Sequence, residues 1–159
     1  MSIRICSLIY GFSLIMFAPG LMAQTVWTVD DDGKADFSTI QAAVDVASSG
    51  DEIQIMPGSY QETVSMPAKT IRFRGIGEEG EVVLDGDNAI RLFEAVDLQG
   101  ETLRLENLTF ANAGSEGASI EDNSAFALFV NNGDCFIYGC RFVNTNVSQG
   151  GSRSVRKVA

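Results

Sequence analysis

The chain has 159 residues, a length that fits a single domain. It contains no histidine, which excludes Ser-His nucleophile systems, histidine general bases and histidine metal ligands. The formal net charge is −10, and it falls to −11 without residues 1–23, because Arg4 is the only charge there. This acidic balance argues against general binding to nucleic acid or anionic membranes.

Residues 1–23 have the pattern of a secretory signal peptide. Arg4 precedes an apolar run over Ile5–Phe17, and Ala23 offers a small residue for cleavage before Gln24. A membrane anchor is the alternative, but the run is short and no basic stop-transfer segment follows it. We therefore expect a secreted chain, extracellular or periplasmic, that does not contact the membrane after cleavage.

The stretch 36–64 organises the rest of the sequence. It predicts a helix over Phe37–Ala47, then a strand, a Pro-Gly turn and a second strand. Ser38 and Gln41 fit a capping box, and Asp36 adds negative charge at the helix N-terminus. One apolar stripe recurs at helical spacing: Phe37, Ile40, Val44 and Ala47. We expect Phe37 and Ile40 to cover the end of the first turn of the following structure.

After the helix the sequence repeats. Similar units begin at Thr70, Thr102 and Asp134, each 32 residues after the previous one, and a spacing of this size is typical of solenoids. Apolar and polar residues alternate in every unit, so helical repeats are excluded and a leucine-rich repeat does not fit. The pattern predicts an all-β coil of short parallel strands, stacked turn upon turn.

Alternation assigns the side chains of these strands to two faces. Three inward ladders are predicted: Ile53/Ile71/Leu103/Cys135, Ile55/Phe73/Leu105/Ile137 and Phe110/Phe142. Two outward rows are predicted: Gln54/Arg72/Arg104/Phe136 and Arg74/Glu106/Tyr138. Arginines beside aromatics suit uronates and sugar rings, so the candidate substrate-binding residues are Arg72, Arg104, Phe136 and Tyr138. The alternative is a solvated Arg–Glu face, which we favour.

Two cysteines remain after the signal peptide, Cys135 and Cys140. They could form a disulfide in an extracellular chain. We favour two small side chains that face the core.

Acidic turns raise the question of calcium. Asp30–Lys34 lacks EF-hand spacing and its closing glutamate, and Asp85-Gly86-Asp87 offers oxygen ligands. A simple turn is the interpretation we favour for both, so no metal site is predicted.

Asn112 and Asn144 occupy equivalent positions after strand pairs. Each could bond along the stack or simply tolerate a turn conformation, and both interpretations stay open.

The ends of such a coil expose unpaired backbone and apolar core. The helix covers the N-terminal end, but the sequence shows no comparable cap after Asn144, and residues 148–159 have the composition of a disordered tail. We therefore expect a truncated coil over residues 24–147. Its open last turn would self-associate or continue into a longer parent chain.

The block Asp36–Val64 resembles the N-terminal part of pectinesterases and, more broadly, the pectin lyase-like superfamily of right-handed parallel β-helices. The resemblance continues more weakly through Leu108–Asn112, Ala127–Val130 and Cys140–Phe142. It implies a right-handed parallel β-helix with one N-terminal capping helix. It also implies hydrolysis of pectin methyl esters without a cofactor.

The same resemblance implies a nucleophilic Asp, an acid/base Asp, oxyanion-stabilising glutamines and an Arg. At the two glutamine positions this chain has Ser124 and Asn146, and Val147 stands at the acid/base position. The nucleophile and the Arg would lie beyond Ala159. We therefore predict that the chain as given does not hydrolyse pectin methyl esters.

Three functions remain after these comparisons of residues. The first is a secreted module that binds acidic polysaccharide, or helps to process it, without a complete catalytic set. The second is the N-terminal fragment of an active pectinesterase-like esterase, and the third is a structural or adhesive β-helix of a cell surface.

Overall fold

The computed structural model describes residues 23–87, 91–114 and 127–145, and the backbone of residues 155–158. The elements in chain order are β1 (Val26–Val29), α1 (Ile40–Val46), β2 (Glu52–Ile55), β3 (Gly58–Tyr60), β4 (Val64–Ser65), β5 (Ile71–Gly75), β6 (Val82–Asp85), β7 (Phe93–Ala95), β8 (Thr102–Glu106), β9 (Thr109–Ala111), β10 (Leu128–Val130), β11 (Asp134–Tyr138), β12 (Arg141–Val143) and β13 (Val155–Val158). No helix of these described parts is long and apolar enough to cross a membrane.

The strands form three parallel sheets. Sheet A has the order β1-β2-β5-β8-β11-β13, sheet B has the order β3-β6-β9-β12, and sheet C has the order β4-β7-β10. Successive turns of the chain each add one strand to each sheet, as β2, β3 and β4 do before β5, β6 and β7. This all-β arrangement is consistent with the predicted parallel solenoid.

The core lies between the three sheets and consists of the inward side chains. The burial predicted from alternation is confirmed for all six residues of the main ladders, which are at most 5% exposed: Ile71, Phe73, Leu103, Leu105, Cys135 and Ile137. Aromatic rings stack along the coil, with the centroids of Phe110 and Phe142 5.0 Å apart and nearly parallel. The 32-residue step is also confirmed, since Ile71 pairs with Leu103 and Leu103 with Cys135.

The predicted register between β2 and β5 is wrong by two residues. Ile53 pairs with Phe73, not with Ile71, and Ile55 pairs with Gly75. In the outward rows Glu52 therefore lies beside Arg72, and Gln54 lies beside Arg74 in the second row. The physical reason is that a shift of two preserves alternation, so both registers bury the same faces.

The helix is shorter than predicted, and its cap differs. It begins after Thr39, whose hydroxyl accepts from the Ala42 amide, so the Ser38 capping box is wrong. The Glu62 carboxylate accepts from the Ile40 and Gln41 amides at 2.7 and 2.9 Å and supplies the negative charge at this end. A residue distant in sequence therefore replaces the predicted local cap.

Two residues predicted at the helix start serve the first strand instead. Asp36 accepts from the backbone and hydroxyl of Thr28, and these bonds lower the pKa of Asp36. Phe37 pairs with Val29 in an isolated bridge and packs half-buried against Trp27, edge to face. The helix contacts β1, β2 and β4, so it lies over the first turn, with Ile40 fully buried there.

Helix α1 also covers the free edge of sheet C. The Gln41 side chain accepts from the Ser65 amide at 2.7 Å and donates to the Ser65 carbonyl at 3.3 Å. A side-chain amide thus makes the bonds that a further strand would make.

Asparagines close several turns with positive φ. Asn112 and Asn144 have φ values of 52° and 49°, and Asn144 donates to the side chain of Asn112. Asn112 in turn donates to Asp85, which also accepts from the Asp87 amide. Both interpretations of these asparagines are therefore confirmed, and Asp85-Gly86-Asp87 is a turn.

The remaining small features follow the favoured interpretations. Cys135 is buried and Cys140 half-buried, and both are free thiols. In the acidic turn Asp30 accepts from the Asp32 amide, and Asp32 pairs with Lys34.

The segment boundaries stay predictions. The proposed signal peptide, with the exception of Ala23, lies outside the described residues. Within the predicted tail, the backbone of β13 pairs in parallel with β11.

Candidate functional site

The outer face of sheet A is the candidate site. Two rows of outward side chains run across its strands. The first row is Glu52/Arg72/Arg104/Phe136, and the second is Gln54/Arg74/Glu106/Tyr138. Parallel strands lie about 4.8 Å apart, so each row places one side chain per turn along the axis of the coil.

Arg72 is the structural centre of this face. Its Nε and Nη2 donate to the two oxygens of Glu106 at 2.9 and 2.6 Å, and Nη1 donates to Glu52 at 3.2 Å. The Glu52 side chain is only 7% exposed, whereas the Arg72 side chain is 38% exposed, so water reaches the guanidinium side of this pair. The bonds to Glu106, more than the charge of Glu52, raise the pKa of Arg72. Arg72 therefore joins three neighbouring strands of the sheet.

Arg104 lies next to Arg72 in the same row but has different contacts. It is exposed, and its guanidinium carbon lies 5.5 Å from the centre of the Phe136 ring. It forms no ion pair with any residue that the structure describes. The structure thus brings two predicted site residues together as a cation–aromatic pair with unneutralised charge.

Tyr138 lies in the second row, half-buried, and borders a surface groove of about 400 Å³ at the carboxyl ends of the strands. Arg74 and Glu106 also line this groove. A second groove of about 280 Å³ lies at the amino ends of the strands and is lined by Arg72, Arg104 and Asp51, among others. One groove therefore lies at each end of the Arg–Glu network.

The sequence did not nominate Arg74 as a site residue. Alternation placed its side chain outward, but alternation alone does not show which carboxylate neutralises which arginine. In the structure Arg74 is exposed and makes no ion pair within the described ranges. Arg74 and Arg104 are the two arginines that the network leaves free.

Ser124, Asn146 and Val147 lie outside the described residues, so their predicted loss of catalytic groups stays a prediction. Among the residues described, no group of three or more acidic or cysteine side chains is arranged to hold a metal ion.

Comparison with known proteins gives one relationship. Pectinesterase 31 of Arabidopsis thaliana is 29% identical over an alignment of 136 positions, and the match covers 72% of this chain and 42% of the plant protein. No family model and no solved structure matches the chain. The chain therefore spans about two fifths of the length of the relative, and over that span it is similar to a pectinesterase, a carbohydrate esterase.

Proposed function

We propose that the chain is a carbohydrate-binding part of a pectinesterase-like protein, which holds acidic polysaccharide against the outer face of sheet A. The observation that carries this proposal is the Arg104–Phe136 pair. It offers an unneutralised guanidinium beside an aromatic ring on a chain whose overall charge is strongly negative. The similarity to a plant pectinesterase supports the class of ligand.

The residues suit a polymer of uronates. A guanidinium donates two parallel hydrogen bonds to a carboxylate, and an aromatic face accommodates the apolar face of a sugar ring. Since the side chains of each row repeat once per turn, a chain of sugars lying along the coil would meet similar spacing on every strand. Arg72 supports this surface by holding β2, β5 and β8 together, and it lines the same groove as Arg104.

The proposal extends to the handedness and the superfamily of the fold. We assign a right-handed β-helix of the pectin lyase-like superfamily. Parallel strands of one sheet are joined by right-handed connections in about 98% of cases, which supports the handedness. We also propose that residues 1–23 direct secretion. Amino-terminal sequencing of secreted protein should begin near Gln24.

Binding tests the proposal directly. The full chain is titrated with polygalacturonate and, as a control polymer, with an uncharged glucan. Arg104→Gln should weaken binding of polygalacturonate about five- to thirtyfold, since it removes a charge-assisted contact worth about 1–2 kcal/mol. Arg141→Gln is the matched control, because Arg141 is also exposed but lies on sheet B. Equal losses in the two variants, or equal affinity for the two polymers, would contradict the proposal.

Esterase activity is the second candidate function, which the named relative favours. We expect the chain as given to release no methanol from esterified pectin above the buffer rate, because Val147 cannot transfer a proton. Ser124→Ala and Asn146→Ala should leave that rate unchanged. Clear release that these substitutions abolish would establish the enzyme instead of the binding module.

A further inference from the structure

We infer that the groove at the carboxyl ends of β5, β8 and β11 selects a free uronate carboxylate over its methyl ester, through Arg74. This inference rests on the proposed function and adds a preference within it. It predicts that the de-esterified form of the polymer is the preferred ligand, although the named relative is an esterase.

The first step concerns charge. Arg74, Glu106 and Tyr138 are adjacent in register across three strands. Glu106 would be the natural partner of Arg74, but both of its oxygens already accept from Arg72. Glu106 therefore makes no bond to Arg74, and the exposed guanidinium of Arg74 lines the groove without an ion pair among the described residues.

The second step concerns the floor of the groove, which is formed by backbone. Gly75 and Gly77 line it, and a Cβ at Gly75 would lie 2.0 Å from the Asn107 carbonyl oxygen. The side-chain nitrogen Nδ2 of Asn107 donates to the backbone carbonyls of Gly75 and Gly77, at 3.1 Å in each case. Its backbone has a φ of 53°, a conformation that asparagine tolerates. The floor is thus fixed in place before any ligand binds.

The third step concerns size and shape. A volume of about 400 Å³ lies near the lower end of the range of ligand pockets, about 300–1,000 Å³, and suits a single sugar unit. Tyr138 borders the groove with an aromatic ring, and the amide oxygen of Asn107 accepts no hydrogen bond from the described residues. A hydroxyl of the sugar could donate to this oxygen while its carboxylate meets Arg74.

The selectivity follows from the chemistry of arginine. A carboxylate accepts two charge-assisted hydrogen bonds from the planar guanidinium, whereas a methyl ester is neutral and loses one of those two equivalent oxygens. Charge-assisted bonds are about twice as strong as neutral ones. We therefore expect the free acid to bind about five- to tenfold more tightly than the ester.

The experiment compares three oligosaccharides of equal length by calorimetric titration of the full chain: oligogalacturonate, its fully methyl-esterified form, and a neutral galactan. The wild type should prefer the free acid about five- to tenfold. Arg74→Gln should reduce that ratio to the part that Arg104 contributes, and Arg74→Lys should restore part of the loss. Arg141→Gln should keep the ratio of the wild type.

Each other outcome overturns the inference in a recognisable way. Equal binding of acid and ester, both above galactan, refutes the carboxylate preference of Arg74 and also the carboxylate contact proposed for Arg104. A preference that survives Arg74→Gln but disappears in Arg104→Gln moves the carboxylate site to the other groove. Binding no tighter than that of galactan refutes the proposed function together with this inference.

Discussion

Replacing Asp51 with Ala should release the first strand from the coil. Asp51 is 5% exposed, and its carboxylate accepts three hydrogen bonds from two segments of the chain. The donors are the Thr25 amide at 2.9 Å, the Trp27 indole nitrogen at 3.2 Å and the Ser48 amide at 2.8 Å. The carboxylate therefore joins β1 and the end of α1 to the start of β2.

The magnitude follows from these contacts. A hydrogen bond to a charged group contributes about 1.5–3 kcal/mol. The three donors are near the exposed end of the coil, where water can replace part of the loss, so we expect a decrease of about 3 kcal/mol in the free energy of unfolding. The matched control is Asp32→Ala. The Asp32 side chain is exposed and pairs only with Lys34, so its loss should leave the urea midpoint close to that of the wild type.

The pH dependence has a definite sign. Burial would raise the pKa of Asp51, but the hydrogen bonds from Ser48, Thr25 and Trp27 outweigh it, and the net pKa is lowered. The contribution of Asp51 to stability is therefore complete above its unfolded pKa of about 3.9 and is lost as the pH falls through the lower folded value. The difference between wild type and Asp51→Ala should shrink below about pH 4.

Urea unfolding followed by fluorescence measures both effects, because Trp27 is the sole tryptophan and lies within the perturbed strand. The Asp51 variant should unfold at a clearly lower urea concentration, and the Asp32 variant should match the wild type. Equal midpoints for the two variants would show that the three hydrogen bonds do not hold the strand.

Three further predictions concern packing and reactivity. Gly75→Ala should destabilise the fold by about 2–3 kcal/mol in urea unfolding, because its Cβ would collide with the backbone of Asn107; a neutral result would refute the close approach. Phe73→Ala, at a fully buried position, should cost about 3–5 kcal/mol, and Phe37→Ala about half as much because that ring is half-buried; a reversed order would contradict the core assignment. Burial raises the pKa of Cys135 to about 12, so its alkylation at pH 8 should be slow in the native protein and rapid in urea; equal rates would show an accessible thiol.

Much of the fold was predictable from periodicity. Alternation around Phe73 and Leu105 requires only that one face be buried, and a constant 32-residue step aligns β5, β8 and β11 without ambiguity. The step from β2 to β5 is shorter, so nothing in the sequence distinguished Ile71 from Phe73 as the partner of Ile53. The error of two residues came from that missing constraint.

The site was predictable only in part, because its properties depend on that register. The observed register places Glu52 next to Arg72, which gives this arginine a second carboxylate, and it places the uncharged Gln54 next to Arg74. The helix cap was missed for a related reason. Glu62 lies 22 residues after the Ile40 amide to which it bonds, and no local motif reports such a contact.

The most direct test of the account is hydrogen–deuterium exchange of the full chain with and without saturating oligogalacturonate. We expect slower exchange in peptides that contain the ends of β5, β8 and β11, around Gly75, Asn107 and Gly139, and no change in β4 or β7 of sheet C. Protection confined to sheet B or sheet C, or no protection at saturation, would contradict the assignment of the binding surface to sheet A.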